Sequence, residues 1–172
     1  TSTPWRITPR PPTHRRPKRP SPPSRPCVSA KGVLEVNQSN CLRIDFVTIF
    51  PEMLDGFLKQ SMLKRAAAME AVQFGTVNPR DFTEDARHTT DDRPYGGGPG
   101  MIMLADPLVQ AVESVADKES KIVMMTPSGS QFEQADAHRL AEEKHIVFIC
   151  GHYEGIDDRV RQLLKPEEFS IG

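Results

Sequence analysis

The stretch HIVFICGHYEGIDDRV, residues 145–160, decides the fold of this chain. Its first six residues, His145–Cys150, form an apolar, β-branched run of strand length, which is typical of a strand buried on both faces. Gly151 and Gly155 then bracket an aromatic residue and a carboxylate, and a helix is predicted over Ile156–Leu164. A buried strand followed by a loop and a helix is the repeating unit of a parallel sheet covered by helices.

The same alternation of strands and helices extends to both sides of this stretch. Strands are predicted at Ile44–Phe50, Val72–Val77, Lys121–Thr126 and Phe169–Ile171. Helices are predicted from Pro51 to about Met69, from the N-cap Asp106 to Ala116, and at Gln131–Lys144. Residues 78–100 show no periodicity and are predicted to form a long loop. The predicted fold class is therefore α/β with a parallel sheet.

Ligands of such sheets bind at the carboxyl ends of the strands, where the connecting loops gather. Three predicted loops lie at that edge: Thr126–Gly129, Gly151–Gly155 and the loop that opens after Ile171. The Thr126–Gly129 segment reads locally as a turn, and only its position at this edge points to a function.

The charge of the chain is distributed over two unlike segments. Residues 1–42 hold eight Lys or Arg and one acidic residue, whereas residues 43–172 hold 14 basic and 22 acidic residues. Nine of the 16 prolines also lie in the first segment. Proline removes backbone donors and like charges repel, so residues 1–42 are predicted to be disordered. This segment is either a basic arm that touches RNA or an extension without a role.

Several classes of protein are excluded by composition. The chain has no run of eighteen apolar residues, so no membrane-spanning helix and no membrane partner are predicted. Its first residues contain no apolar secretory signal. The three cysteines, Cys27, Cys41 and Cys150, form no CxxC pair, and Cys150 ends an apolar strand as a buried thiol would. A reducing cytoplasmic location is predicted.

A glycine-rich loop is the first motif that could carry chemistry. The sequence DDRPYGGGPGM, residues 91–101, has four glycines and two prolines within positions 94–100. Such a backbone can lie against a planar ligand or a phosphate, or it can be a flexible connector. It is neither a dinucleotide fingerprint nor a P-loop. The paired carboxylates Asp91-Asp92 and Asp157-Asp158 point in different directions, so no metal site is predicted. Asp157 is better explained as a negative charge at the N-terminus of a helix.

The loop after His145–Cys150 is the second motif. Glu154 at the carboxyl edge of a sheet could bind an ammonium group or act as a base, or it could be a solvated loop charge. Tyr153 could contact a ligand or pack locally, and His152 reads more simply as a surface residue. No nucleophile elbow is present.

In combination these motifs resemble the bacterial tRNA (guanine-N1)-methyltransferases of the SPOUT superfamily. The matching segments cover residues 43–172. They are TIFPEM (48–53), PRDFT (79–83), DDRPYGGGPGM (91–101), PSG (127–129), CGHYEGIDDRV (150–160) and SIG (170–172).

The resemblance implies methyl transfer from S-adenosylmethionine to N1 of the guanine 3′ of the tRNA anticodon, by a homodimer. It also implies a Rossmann-like SPOUT domain with a trefoil knot, a rare exception to the rule against threaded chains. By resemblance, the cofactor-binding residues are Pro127, Gly151, Tyr153, Glu154, Gly155, Ser170, Ile171 and Gly172. Glu154 is the catalytic candidate, and the residues facing substrate or partner are Asp92, Arg93, Tyr95, Gly97, Gly98, Pro99, Gly100 and Arg159. Arg80 is a further candidate for an RNA or interface contact.

Members of the family continue past the Ser-Ile-Gly segment. We therefore expect residues 43–172 to be an incomplete methyltransferase domain whose knot is cut off at the chain end, whose proposed aspartate base lies beyond Gly172, and which is inactive alone. Two other functions stay open on the sequence. One is an RNA-binding or dimerisation scaffold with an inactive core, and the other is a ribosomal RNA methyltransferase of the same superfamily.

Overall fold

The structure is a computed structural model that describes residues 41–172. The prediction of disorder for residues 1–42 falls almost wholly outside the described residues, as does Cys27. The strands are β1 Leu42–Val47, β2 Val72–Val77, β3 Asp91–Asp92, β4 Ile102–Met103, β5 Lys121–Gln131, β6 His145–Cys150 and β7 Glu167–Ser170. The helices are α1 Pro51–Leu58, α2 Ser61–Ala68, α3 Ala105–Glu113, α4 Gln134–Leu140 and α5 Arg159–Leu164, with a 3₁₀ turn at Pro79–Phe82.

Five strands form one sheet in the order β2-β1-β6-β5-β7, and every neighbouring pair is parallel. β3 and β4 form a separate antiparallel pair. The predicted α/β class with a parallel sheet is therefore confirmed, and the bounds of β2 and β6 match the predicted ones.

The larger part of the core lies between one face of the sheet and helices α3 and α5. Helix α3 buries four residues in this layer, namely Ala105, Leu108, Ala111 and Val112, and α5 contributes Val160. The sheet supplies Val47, Met124, Val147 and Ile149. On the opposite face, Leu140 of α4 packs with Val123, Ile146 and Phe169. Residues of β1 and β6 alternate between these two faces, as the pleat requires.

The predicted helix from Pro51 to about Met69 is wrong as a single element, because it is two helices. Ser61 has φ 46°, a left-handed conformation that a continuous right-handed helix does not contain. Much of its predicted apolar face is also exposed. Met53, Phe57, Met62 and Met69 are 61–78% exposed, and only Leu58 is fully buried. These four exposed residues, Met53, Phe57, Met62 and Met69, form what we call the α1–α2 apolar face.

Three other helix predictions change at their ends for tertiary reasons. Helix α3 begins at Ala105 with Leu104 as its N-cap, so Asp106 is a first-turn residue, not the cap. Helix α4 begins only at Gln134, because the Phe132 N–H pairs with the Ser170 carbonyl and extends the sheet. Helix α5 begins at Arg159, because Ile156 forms an isolated parallel bridge with Met103.

A buried polar cluster joins β1 to β6 near the amino end of the sheet. His145 Nε2 lies 2.7 Å from Asp45 Oδ2, and its Nδ1 lies 2.7 Å from Ser120 Oγ. Asp45 and His145 are both about 5% exposed or less, and Arg43 Nε also contacts Asp45 Oδ2 at 2.7 Å. Because a buried carboxylate is costly without partners, this cluster fixes how β1 and β6 pair.

Replacing His145 with Ala is expected to lower the free energy of unfolding by about 3 kcal/mol, because Asp45 then loses a buried partner. Urea unfolding followed by circular dichroism measures this change. His138→Ala is the matched control, since His138 is exposed on α4. Equal unfolding curves for the two variants would contradict the role given to the cluster.

Candidate functional site

Strand register brings the three predicted loops to one edge of the sheet. Met125 of β5 lies opposite Cys150 of β6 on one side and Phe169 of β7 on the other. All three strands run parallel, so the segments that follow these residues begin at the same level of the sheet. The predicted convergence of Thr126–Gly129 and Gly151–Gly155 is thus present in the structure, and Ile171, after which the third loop is predicted to open, follows the end of β7 at this edge.

The Thr126–Gly129 segment is not the simple turn that the sequence predicts. β5 continues through it to Gln131, and its pairing with β7 shifts register between Met125 and Ser130. Phe169 therefore pairs with both of those residues. A Cβ on Gly129 would lie 2.7 Å from the backbone of Glu168 and Phe169, so only glycine fits this approach.

An open groove lies between this irregular segment and the end of β7. It is lined by Met125, Thr126, Pro127, Phe169, Ser170, Ile171 and Gly172. The structure thereby brings together four of the predicted cofactor-binding residues, Pro127, Ser170, Ile171 and Gly172. Gly151 borders the same region, since its Cβ position would lie 3.9 Å from the Met125 carbonyl oxygen.

The glycine-rich loop has more structure than a connector. It is held between β3 and β4, where Asp91 pairs with Met103 and Asp92 with Ile102. Four of its residues have positive φ, namely Gly96, Gly97, Gly98 and Gly100. Residues with a Cβ avoid this conformation, so the glycines determine the path of the loop. Tyr95 at its start is 84% exposed.

The end of this loop runs alongside the second predicted motif. The Glu154 N–H donates to the Met101 carbonyl at 3.0 Å, and the Met103 N–H donates to the Gly155 carbonyl at 2.9 Å. The Asp157 N–H in turn donates to the Met103 carbonyl at 3.0 Å. Backbone hydrogen bonds thus join the two motifs into one unit, although fifty residues separate them in sequence.

Glu154 lies directly over Gly100. A Cβ on Gly100 would come within 2.2 Å of Glu154 Cγ and within 3.0 Å of its Oε1. Within the described part of the chain, no residue forms a hydrogen bond or ion pair with the exposed Glu154 carboxylate. The carboxylate is therefore held near the glycine-rich loop by its backbone and remains open to a ligand or a proton.

A row of three rings borders this loop. The His152 ring packs edge-on against Phe50 at 4.9 Å and against Tyr153 at 4.8 Å between centroids. Tyr153 has φ 62°, and the His152 N–H contacts Met103 Sδ at 3.3 Å. The His152 side chain is exposed, as the sequence suggests, but it also connects the end of β1 to the second motif.

Arg159 is anchored by a buried carboxylate. Asp157, 5% exposed, accepts hydrogen bonds from Arg159 Nη2 at 2.7 Å and from Arg159 Nε at 3.1 Å. These bonds outweigh burial and hold the pKa of Asp157 below its ordinary value, while the same bonds raise the pKa of Arg159. The pair's contribution to stability is complete above the ordinary aspartate range and is lost only as the pH falls through the lowered pKa.

The predicted site residues thus fall into two groups. Pro127, Ser170, Ile171 and Gly172 line the groove, whereas Tyr153, Glu154 and Gly155 lie with Gly100 beside the glycine-rich loop. Gly97, Gly98 and Pro99 lie along that loop. Asp92 accepts from the Arg93 N–H, and the Arg93 side chain is exposed. Arg80 lies apart, in the 3₁₀ turn that the Asn78 side chain caps.

Sequence reasoning missed two features of the site. Asp157 is assigned from the sequence to helix N-terminal charge, yet it is the buried partner of Arg159. Met103 is also missed, although its backbone joins both motifs. The two-residue spacing of Asp157 and Arg159 is a weak signal for their pairing, whereas only the three-dimensional pairing of β3 with β4 shows the role of Met103.

Burial raises the pKa of the Cys150 thiol, which is half-buried.

No helix within residues 41–172 is long and apolar enough to cross a bilayer. In the same range, no three His, Cys, Asp or Glu side chains converge in a way that could hold a metal ion.

The fold and the site define an α/β domain of the ligand-binding kind, with its loops gathered at the carboxyl edge of a parallel sheet. Residues 42–172 match the family model described as tRNA (Guanine-1)-methyltransferase TrmD. The chain belongs to this family.

Relatives with the name tRNA (guanine-N(1)-)-methyltransferase support this assignment. The chain is 47% identical to that of Carboxydothermus hydrogenoformans over 131 residues, which are 76% of this chain and 52% of the relative. It is 48% identical to that of Bacillus pumilus and 46% identical to that of Bacillus subtilis, each over 134 residues and 55% of the relative. The chain thus spans about half the length of these curated relatives.

Replacing Gly100 with Ala is expected to displace Glu154, because the new Cβ overlaps its side chain. Gly97→Ala is the matched control, since Gly97 also has positive φ but has nothing near its Cβ position. Both variants lose about 1 kcal/mol of stability to backbone strain. Only Gly100→Ala shifts the amide NMR signals of residues 153–155, and equal shifts in both variants would contradict this geometry.

Proposed function

We propose that this chain supplies the catalytic domain for methyl transfer from S-adenosylmethionine to N1 of the guanine 3′ of the tRNA anticodon, in the cytoplasm. The observation that carries the proposal is the junction of the glycine-rich loop with Gly151–Asp157 at the ligand edge of the sheet. The family relationship gives this junction its chemistry. The ribosomal RNA alternative has no comparable support, because the relatives are named for tRNA.

The groove between β5 and β7 is the proposed cofactor site. Its lining includes the apolar side chains of Met125 and Ile171 together with Pro127 and Gly172. Such a surface suits an adenosyl group, which offers a flat apolar ring with polar edges. This lining supports S-adenosylmethionine as the ligand, which when bound would supply an activated methyl group. A Rossmann-like SPOUT fold is part of the proposal, and the adjacency of β5, β6 and β7 is consistent with it.

The chemistry at the guanine sets the tasks of the protein side chains. Guanine N1 carries a proton and is a weak nucleophile, so methylation needs a proton acceptor and close alignment with the methyl group. The guanine must also leave the base stack of the RNA to reach an enzyme surface. We propose that the glycine-rich loop holds the flat guanine and that Glu154, whose carboxylate has no partner among the described residues, contacts its proton-bearing edge or the methionyl amine.

Positive side chains around the junction are the proposed RNA contacts. Arg93 and Arg159 are exposed, and Tyr95, which interacts electrostatically with Arg159, offers an exposed ring for stacking. Residues 43–172 carry more acidic than basic residues, so the RNA contacts must be local and not spread over the domain.

We also propose that the protein is a homodimer that uses the α1–α2 apolar face. Four large apolar side chains are exposed along α1 and α2, including the C-cap of α2. Single exposed apolar residues are common on protein surfaces, but a group of this size is typical of an interaction surface. The face adjoins the proposed site, because Phe50 directly precedes α1 and contacts His152. A second copy seated there would lie next to Phe50 and the aromatic row, which suits a site completed between subunits.

A hybrid protein tests the proposed activity. Residues 42–172 replace the matching segment of the Bacillus subtilis relative, and transfer of labelled methyl from S-adenosylmethionine to a tRNA transcript is measured. We expect transfer to a transcript with guanine 3′ of the anticodon and none when adenine replaces that guanine. Glu154→Gln in the hybrid is expected to lower kcat by about a hundredfold. An inactive but folded hybrid would contradict the proposal.

The dimer is tested by placing a charge on the α1–α2 apolar face. At a concentration where the unaltered chain sediments as a dimer, Phe57→Glu is expected to sediment as a monomer, because a buried unpaired carboxylate opposes association. Leu163→Glu is the matched control, since Leu163 is an exposed apolar residue on α5. A monomeric unaltered chain, or a dimeric Phe57→Glu variant, would overturn this interface.

A further inference from the structure

Asp157 has a chemical role that helix capping does not explain. Its carboxylate is almost fully buried, and both oxygens are occupied by Arg159: Oδ1 accepts from the Arg159 backbone N–H at 2.9 Å, and Oδ2 from Nη2 at 2.7 Å. Nε contacts both oxygens at 3.1 Å. These four contacts join residues that are only two apart, and together they fix the orientation of the Arg159 side chain. An ordinary surface ion pair, with a single contact, restrains its arginine much less.

The same residue is also tied to the glycine-rich loop. Its N–H donates to the Met103 carbonyl at 3.0 Å, next to the Met103–Ile156 bridge. The position of Asp157 is therefore set by the strand that ends the loop, and the position of Arg159 is set by Asp157. The guanidinium is thereby placed relative to the loop without touching its backbone.

One edge of the Arg159 guanidinium remains available. A guanidinium has five N–H donors, and Asp157 uses Nε–H and one N–H of Nη2. Three donors are left, namely the second N–H of Nη2 and both N–H groups of Nη1. The side chain is 49% exposed and lies within electrostatic reach of Tyr95 and Asp106. A fixed, half-exposed guanidinium beside an exposed aromatic ring has the geometry that binds a phosphate next to a stacked base.

We propose that Asp157 is a positioning residue, which holds Arg159 so that its free edge binds a backbone phosphate of the RNA whose guanine enters the glycine-rich loop. This inference rests on the proposed function, because it takes RNA as the ligand. It adds to that function the pair that fixes where the nucleotide backbone lies relative to the loop.

The test compares Asp157→Asn with two related variants of the 172-residue chain. Asp158→Asn is the matched control, because Asp158 is the exposed neighbour and its removal changes the net charge equally. Asp157→Glu keeps the charge and is the conservative variant. Affinity for an RNA stem-loop with guanine 3′ of the anticodon is measured by fluorescence anisotropy over a range of salt concentrations, and folding of each variant is checked by thermal unfolding.

We expect Asp157→Asn to weaken RNA binding about tenfold, since an unfixed guanidinium loses a charge-assisted contact. Asp157→Glu restores most of the affinity, and Asp158→Asn binds as the unaltered chain does. Arg159→Ala lowers the slope of log affinity against log salt by about 0.7, the value for one contact to single-stranded RNA. In the Arg159→Ala background, Asp157→Asn costs nothing further, because the two residues act as one unit.

An NMR readout separates positioning from general destabilisation. The Arg159 Nε–H signal is expected to exchange slowly with solvent in the unaltered chain and rapidly in Asp157→Asn. Equal RNA affinity of Asp157→Asn and the unaltered chain would overturn the inference. If the hybrid protein methylates tRNA and this result is found, the proposed function stands and only the role of Asp157 falls. A chain with no affinity for the stem-loop overturns the inference whatever the hybrid does.

Discussion

The parallel register of β5, β6 and β7 is the constraint on which the rest of the structure depends. Met125 lies opposite Cys150 and Phe169, so the segments that follow all begin at one level of the sheet. Alternate residues face opposite layers, and a slip of one residue would move Met124 and Ile149 out of the layer that α3 and α5 cover and into the layer that α4 covers. The packing of α3 against this face therefore fixes the register, and the register fixes the ligand edge.

The site itself is organised mainly by backbone. Met101 and Met103 hydrogen-bond to the segment Glu154–Asp157, and Gly100 and Gly129 are places where a Cβ would collide with a neighbouring element. Backbone contacts of this kind bring two distant segments closer together than side chains would allow. Glycine at these positions therefore serves close approach, whereas Gly97 has open space around it and serves only the turn of the chain.

The sequence predicts best what local pattern alone determines. His145–Cys150 is an almost continuous apolar run and Val72–Val77 is a short segment of strand length, and the bounds of both are correct. The predictions fail where tertiary contacts compete with periodicity. Apolar spacing over Pro51–Met69 gives no sign of the left-handed Ser61, and Ile156 is drawn from its predicted helix into a bridge with Met103. Motif matching proposes Glu154 and Arg159 as site residues, but it cannot show that Asp157 is buried and paired with Arg159.

The two carboxylates of the second motif are divided by their surroundings. The Asp157 carboxylate accepts hydrogen bonds from the Arg159 guanidinium, which keep the pKa of Asp157 below its ordinary value. Asp157 therefore stays an anion near neutral pH. The Glu154 carboxylate, three residues earlier, is exposed and forms no hydrogen bond or ion pair with the described residues. The proposed contact with a proton or a cationic group is therefore assigned to Glu154, and the proposed positioning role is assigned to Asp157. The short spacing between them allows one loop to carry both a fixed charge and an open one.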